Sequence, residues 1–256
     1  MPSLSIIINF AALLATASAV SKPGYNTVNL RVEGKTKTLW EGPIYSGPRN
    51  ITTAEARSEG YGPEPCDGTL PQGFTHPPAG NTCLAALDAA SKLKPFTYDG
   101  GFDGEFDDFY IDTIGVDAPE DPSTAPNGNV EFGWGLLWNY QPPTYGLQWT
   151  LSGCQQKVVP GDTVLWAWIP ARNERPTDSN FLKVSPATLN VKQYATGTVT
   201  VTDGRTGKAV QGAVVDGVTT GTDGKATITF HHKGFQQYKA TRTGDVRSNV
   251  LSVTVT

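Results

Sequence analysis

Five of the six tryptophans lie between Trp134 and Trp168, and their spacing restricts the folds open to this chain. Phe132, Trp134, Leu136, Trp138 and Tyr140 occupy alternate positions, as do Trp166 and Trp168. Alternate side chains of an extended strand share one face, so both runs predict strands with a strongly aromatic side. Rings of this size dominate cores, and the faces carrying them are expected to pack beneath another element. Gly133, Gly135, Leu137, Asn139 and Gln141 then point the other way.

A helix is available as the cover. Residues 82–93, TCLAALDAASKL, offer Asn81 or Thr82 as N-cap, Leu84, Leu87, Ala90 and Leu93 on one face, and Lys92 and Lys94 near the C-terminal end. Pro95 ends the helix. Ahead of it, Val28, Leu30 and Val32 alternate with Asn29, Arg31 and Glu33, and the Gly34 turn leads into a returning strand over 38–45. A Gly- and Pro-rich loop spans 60–80. Further strands are predicted at 109–114, 132–140, 147–151 and 163–169. A helix laid across a mixed sheet is an α+β arrangement.

The character of the chain changes around Val184-Ser185-Pro186. Every Trp and Cys precedes this point, and Thr, Val and Gly dominate after it. Phe181 to Val184 is expected to close the first domain with a short strand, giving domains over 24–186 and 187–256. In the second, Leu189/Val191, Val199/Val201, Ala226/Ile228/Phe230 and Leu251/Val253/Val255 alternate. Turn signals at Asp203-Gly204, Gly207-Lys208, Asp223-Gly224 and Thr243-Gly244-Asp245 separate them. Short strands with such turns predict an all-β, Ig-like sandwich whose core holds by packing alone.

Residues 1–19 read as a signal peptide. A short apolar core runs from Leu4 to Ala15, and Ala17-Ser18-Ala19 supplies a small-x-small cleavage pattern. No other segment has membrane-spanning length. Export makes the three cysteines candidates for a disulfide, and three single pairings are open. Their spacing fits no metal site. Asn50-Ile51-Thr52 is a glycosylation sequon, which marks a glycoprotein if the host is eukaryotic. The net charge of -4 lacks basic clusters, which argues against nucleic acid and anionic membranes.

The segments VNLRVEG, TLWEG, CDGTLP, CLAALDAASKL, FDDFYIDTIG, WGLLWNYQ and GCQQKVVPGDTVLWAW resemble the transcobalamin C-terminal-like domain of unknown function. The resemblance covers roughly 26–184 and implies a β-grasp-like fold in a secreted or surface protein. The remainder resembles the Ig-like or carboxypeptidase-regulatory-like modules that follow it and usually act as spacers. The family implies a Cys66–Cys154 bridge, with Cys66–Cys83 as the local alternative. In the vitamin B12 carriers a large helical lobe completes the cobalamin site. No run of helices is predicted here, so cobalamin is not an expected partner, and no other cofactor is implied.

Three candidate sites follow. Tyr140, Tyr145 and Trp149 flank the Pro142-Pro143 turn, where an aromatic can stack on a glycan or another flat, apolar ligand and Asn139 and Gln141 can donate hydrogen bonds. For Trp134, Trp138, Trp166 and Trp168 the core reading is the stronger one. The acidic segment Asp99 to Asp112 has oxygen ligands suited to calcium but lacks the EF-hand order, so a hairpin with Phe102, Phe106 and Tyr110 packed beneath solvated acids is preferred. Asp103, Glu105 and Asp107 alternate, as paired carboxylates for glycoside hydrolysis would. His76, His231 and His232 read as solvated residues. The expected function is a non-enzymatic binding or adhesion protein, secreted or associated with the cell wall. A glycan-directed hydrolase and a purely structural wall component are the alternatives.

Overall fold

The structure, a computed structural model, describes residues 22–69, 78–93, 96–118, 132–143, 153–170 and 179–256. The signal segment 1–19, Pro95 and the strand expected over 147–151 lie outside these residues. The described chain is β-rich, with several sheets and two helices. No helix among the described residues is long and apolar enough to cross a membrane.

In chain order the elements are β1 (Asn26–Glu33), β2 (Thr38–Ser46), β3 (Arg49–Ile51), α1 (Ala54–Ser58), β4 (Glu64–Cys66), α2 (Cys83–Ser91), β5 (Tyr98–Asp99), β6 (Phe102–Asp103), β7 (Asp108–Phe109), β8 (Thr113–Ile114), β9 (Phe132–Trp138) and β10 (Thr163–Pro170). There follow β11 (Leu182–Ser185), β12 (Thr188–Val191), β13 (Thr196–Asp203), β14 (Val214–Val215), β15 (Val218–Thr219), β16 (Lys225–Thr229), β17 (Gly234–Tyr238) and β18 (Leu251–Val255).

The principal sheet of the first unit has the order β2-β1-β10-β9. β1 pairs antiparallel with β2 and parallel with β10, and β9 returns antiparallel to β10. Val28, Leu30 and Val32 of β1 share a buried face with Trp134, Leu136, Val164 and Trp166. Trp138 and Trp168 pack half-buried against the same cluster, so the tryptophans and Leu136 of the expected aromatic face lie together.

α2 lies on this face. Its N-cap is Thr82, whose hydroxyl accepts from the Ala85 amide at 3.2 Å. The helix is buried all round, from Cys83 to Ala90, instead of along one stripe. Alanines at 85, 86, 89 and 90 make this possible, because small side chains let neighbouring backbone approach from several sides. Leu93, expected on the buried face, lies past the helix end and is exposed.

Asp88 anchors α2. Its carboxylate accepts from Arg49 at 2.7 Å, Lys92 at 2.6 Å and the Tyr98 hydroxyl at 2.9 Å. Burial opposes its charged form, but these three donors outweigh that effect and hold the carboxyl below its usual range. Cys66 and Cys154 are bonded, closing a separation of 88 residues and tying β4 to the segment before β10. Cys83 is free and buried, and burial pushes its thiol well up.

The second unit consists of two three-stranded sheets, β11-β13-β16 and β12-β18-β17, with a small β14–β15 ladder. Val199, Val201, Ala226, Ile228, Phe230, Leu251, Val253 and Val255 form its core, as their alternation predicts. Two features depart from expectation. β11 pairs antiparallel with β13, so Leu182–Ser185 opens the second unit instead of closing the first, and the hand-over precedes Phe181. β12 runs parallel to β18, a pairing distant in sequence that local alternation does not reveal.

Two predictions follow from these ties. Replacing Cys66 and Cys154 together with serine should lower unfolding free energy by about 2–4 kcal/mol, measured by urea denaturation, because the loop closed is long. Asp88→Asn should destabilise the protein at pH 7. An Asp held below its unfolded value of about 3.9 stabilises the fold above that pH and loses the contribution as pH falls through the folded value. The gap between wild type and variant should therefore shrink below about pH 4.

Candidate functional site

The second face of the β2-β1-β10-β9 sheet is covered as well. Leu137, Leu165, Ala167 and Ile169 point away from α2 and form a cluster with Tyr140 and with Phe181 and Val246 of the second unit. Arg31 and Glu33 lie on this same face of β1 and are 3 % and 2 % exposed. Alternation on a strand predicts solvent for them. Here the second unit takes the place of solvent, so their charges need partners.

Glu33 is the hub of that seam. Its carboxylate pairs with Lys239 and, at 3.0 Å, with Arg247, both from the second unit. Thr38 donates to it at 2.9 Å, and Arg31 Nε stands 3.7 Å away. Arg247 also donates from Nη2 to the Gly34 carbonyl at 2.6 Å, gripping the turn between β1 and β2. Glu41 of β2 pairs with Lys239 and accepts from the Val250 amide at 2.7 Å. The units thus meet through desolvated charges as well as apolar contact.

Beside this network an open cleft of about 510 Å³ lies between the units. Leu30, Arg31 and Glu41 line one side, Lys183, Ala187 and Val250 the other, with Asn139 and Tyr140 at one end. Asn139 and Tyr140 are the two central residues of a tight hairpin turn, at φ 50° and 64°. Trp138 and Gln141 exchange backbone hydrogen bonds of 2.7 and 2.9 Å across it. Positive φ at both central positions marks the type I′ turn, whose twist suits a β-hairpin.

That turn corrects the expected orientation of Tyr140. Alternation groups it with Trp134 and Trp138, but the left-handed turn swings it to the Leu137 face. There the ring is buried against Gly204, and its hydroxyl accepts from Arg31 Nη1 at 3.3 Å. Arg31 Cζ and Lys183 Nζ each stand 5.5 Å from the ring centroid. Tyr140 therefore belongs to the wall of the cleft and not to an open stacking platform.

The polar groups beside it are engaged. Asn139 donates to Asp162 at 2.8 Å and accepts from the Thr163 amide at 2.9 Å, and Gln141 donates to the Arg205 carbonyl at 2.9 Å. Asp162 also accepts from Trp138 Nε1 and the Val159 amide. Tyr145 and Trp149 lie outside the described residues. Asn50 and Thr52 are exposed, so the sequon is accessible.

The acidic segment folds as β6 and β7 around a tight turn. Asp107 adopts φ 51°, and Glu105 lies within that turn, so Asp103, Glu105 and Asp107 do not share a strand face. Asp103 caps the turn by accepting from the Glu105 amide at 2.9 Å. Asp108 is buried and accepts from the Cys154 amide at 2.9 Å. Asp99 accepts from the Ala54 amide at 2.9 Å, at the start of α1. Phe102 and Phe109 supply the hairpin's packed rings, while Phe106 is exposed.

Sequence reading missed a different acidic group. Tyr110 donates towards Glu55 at 3.2 Å and Glu59 at 3.1 Å. Burial and the neighbouring Asp112 push the Glu55 carboxyl up. Its members come from α1 with its C-cap Glu59 and from the residues between β7 and β8, so only tertiary structure unites them.

The seam yields a direct test. Glu33→Gln leaves Lys239, Arg247 and Arg31 without their shared carboxylate, and breaking a buried pair in this way costs about 3–5 kcal/mol. Urea denaturation should show a loss of this size, whereas Glu105→Gln should leave stability within about 0.5 kcal/mol, as exposed substitutions do. No protein-family model matches this chain and no curated protein matches it, so the functional reading rests on the geometry of the seam and its cleft.

Proposed function

We propose that this is an exported, non-enzymatic binding or adhesion protein, secreted or held at the cell surface, whose ligand enters the cleft between the two units. The observation that carries this reading is an open cleft whose opposite walls are held together by a buried ionic network. A site with fixed walls loses little conformational freedom on binding, which favours affinity. Suitable ligands are a glycan or another small molecule with a flat or apolar part, since Ala187, Val250 and the Tyr140 ring furnish apolar surface.

Several features support the wider assignment. A β1–β2 hairpin, then α2, then a strand parallel to β1 is the order expected of a β-grasp-like, transcobalamin C-terminal-like domain. Two sheets enclosing a valine-rich core suit an Ig-like module. A buried disulfide and an exposed sequon accord with export. The elevated Glu55 carboxyl beside Asp112 supports a second reading, a glycan-directed hydrolase, because such chemistry needs one acid held protonated.

A binding panel of glycans and small aromatic compounds tests the main reading, using wild type beside Tyr140→Ala and Trp149→Ala. The expected result is a ligand whose affinity falls at least about tenfold in Tyr140→Ala, the loss that about 1.4 kcal/mol of contact produces. Loss only in Trp149→Ala would move the site to the double-proline turn. No ligand, with the protein fractionating with the cell wall, would leave a structural component. Glycan turnover abolished by Glu55→Gln would replace binding with hydrolysis.

A further inference from the structure

We infer that the open edge of β16 binds an extended polypeptide segment of a partner protein, added as a further strand to the β11-β13-β16 sheet. This surface belongs to the second unit and shares no residue with the cleft between the units.

The two edges of that sheet are treated differently. On the β11 side the chain caps itself. The Asn249 side chain accepts from the Val184 amide at 3.0 Å and donates to the Val184 carbonyl at 3.2 Å, and the Leu182 amide donates to the Val246 carbonyl at 3.0 Å. On the β16 side the ladder with β13 is the last one. Bonds from the Val201 amide to the Gly224 carbonyl and from the Phe230 amide to the Ala195 carbonyl fix the phase of that ladder. Antiparallel neighbours bond through alternate residues, so Ala226 and Ile228 face β13 while the backbone groups of Thr227 and Thr229 face outward. Lys225, at the start of the strand, is satisfied by Gly221 and Asp223. Nothing among the described residues bonds the outward N–H and C=O of Thr227 and Thr229. These groups repeat at the two-residue period of an extended chain. The run Thr227-Ile228-Thr229 also has no proline, charge or bulge, the devices that blunt an edge against added strands.

The edge opens into a groove of about 460 Å³, whose far wall is Gln236 and Tyr238 of β17 with Asp216 and Val218 of the β14–β15 hairpin. The Tyr238 ring stands 6.1 Å from that of Phe230, on the core side of β16. Its hydroxyl donates to Gln236, whose amide donates in turn to the His232 carbonyl, so this wall is fixed. A strand laid in the groove turns alternate side chains towards Ile228, Val218 and Tyr238, and the others outward beside Thr227 and Thr229. The first set suits apolar residues and the second small polar ones. Asp216 is exposed on the wall and has no ion pair among the described residues, so a basic residue at one end of the segment supplies its complement. In a second copy of the chain β16 stands behind the same wall, which keeps two such edges apart. A single extended segment fits between, and strand addition of this kind is an established mode of peptide recognition.

Amide hydrogen exchange read by NMR on the mature protein tests the inference, with the acetylated and amidated peptide Arg-Thr-Val-Thr-Val-Thr as probe. A peptide residue opposite Thr227 shares its outward side, so the threonines of the peptide make the backbone bonds, and the same peptide N-methylated at its threonines is the control. In the free protein Thr227 and Thr229 should exchange at least about tenfold faster than Ala226 and Ile228, which the β13 ladder protects. The peptide at about 1 mM should slow Thr227 and Thr229 at least about threefold, the effect of a Kd near or below about 0.5 mM. The N-methylated peptide should leave both unchanged. Thr227→Pro, a substitution sheet edges admit, should abolish the slowing at Thr229 while Ala226 and Ile228 stay protected. No slowing by the peptide, or equal slowing by the N-methylated one, would overturn strand addition. Protection of Thr227 and Thr229 that rises with protein concentration alone would replace the partner with a second copy of the chain. None of these outcomes bears on the cleft, which the Tyr140→Ala comparison tests separately.

Discussion

The Glu33 carboxylate, 2 % exposed and shared among Lys239, Arg247 and Arg31, is the interaction on which the rest of the arrangement depends. A carboxylate in that position is tolerable only when its partners are in place, since burying an unpaired charge is far more costly than exposing it. Two of those partners belong to the second unit. The β1 strand is thus compatible with its surroundings only while the units are docked. Arg247 extends the tie to the backbone of the Gly34 turn, so the contact fixes orientation as well as proximity.

The apolar half of the seam leads to the same conclusion. Without the second unit, Leu137, Leu165, Ala167 and Ile169 would form a continuous exposed strip on the sheet, and Phe181 and Val246 would lose their cover. Patches of that kind are uncommon on isolated soluble units. The molecule is better described as three layers: α2, a mixed sheet, and a two-sheet unit that packs on the sheet's far side. A module expected to serve as a stalk instead supplies one wall of the candidate site, through Lys183, Ala187 and Val250.

Much of this architecture is legible from residue order, and the illegible parts have identifiable causes. β1, β9, β10 and the valine strands of the second unit follow from period-two alternation, because each has one aromatic or aliphatic face that demands cover. The covered far face had a signal too. Val164 to Ile169 is apolar at every position, the pattern of a strand buried on both sides. Tyr140 departs from its alternation because the change of face occurs through left-handed backbone at Asn139 and Tyr140, a conformation that Asn tolerates but that Tyr does not advertise. Phe181 to Val184 alternates in a way that fits a partner in either unit, and only its ladder with β13 decides between them. The ionic network joins residues more than 200 positions apart, for which no local pattern exists.

The cleft and the ionic network are not independent features, because Arg31 takes part in both. It stands 3.7 Å from Glu33 on one side and is bonded to Tyr140 on the other, which fixes its guanidinium between the ionic seam and the cleft wall. Had Glu33 served Arg31 alone, a bidentate pair would have satisfied the Nε–Nη2 edge of the guanidinium. Lys239 and Arg247 prevent this by taking the same carboxylate oxygens. Docking the second unit therefore does two things through one residue: it neutralises Glu33, and it leaves Arg31 incompletely satisfied.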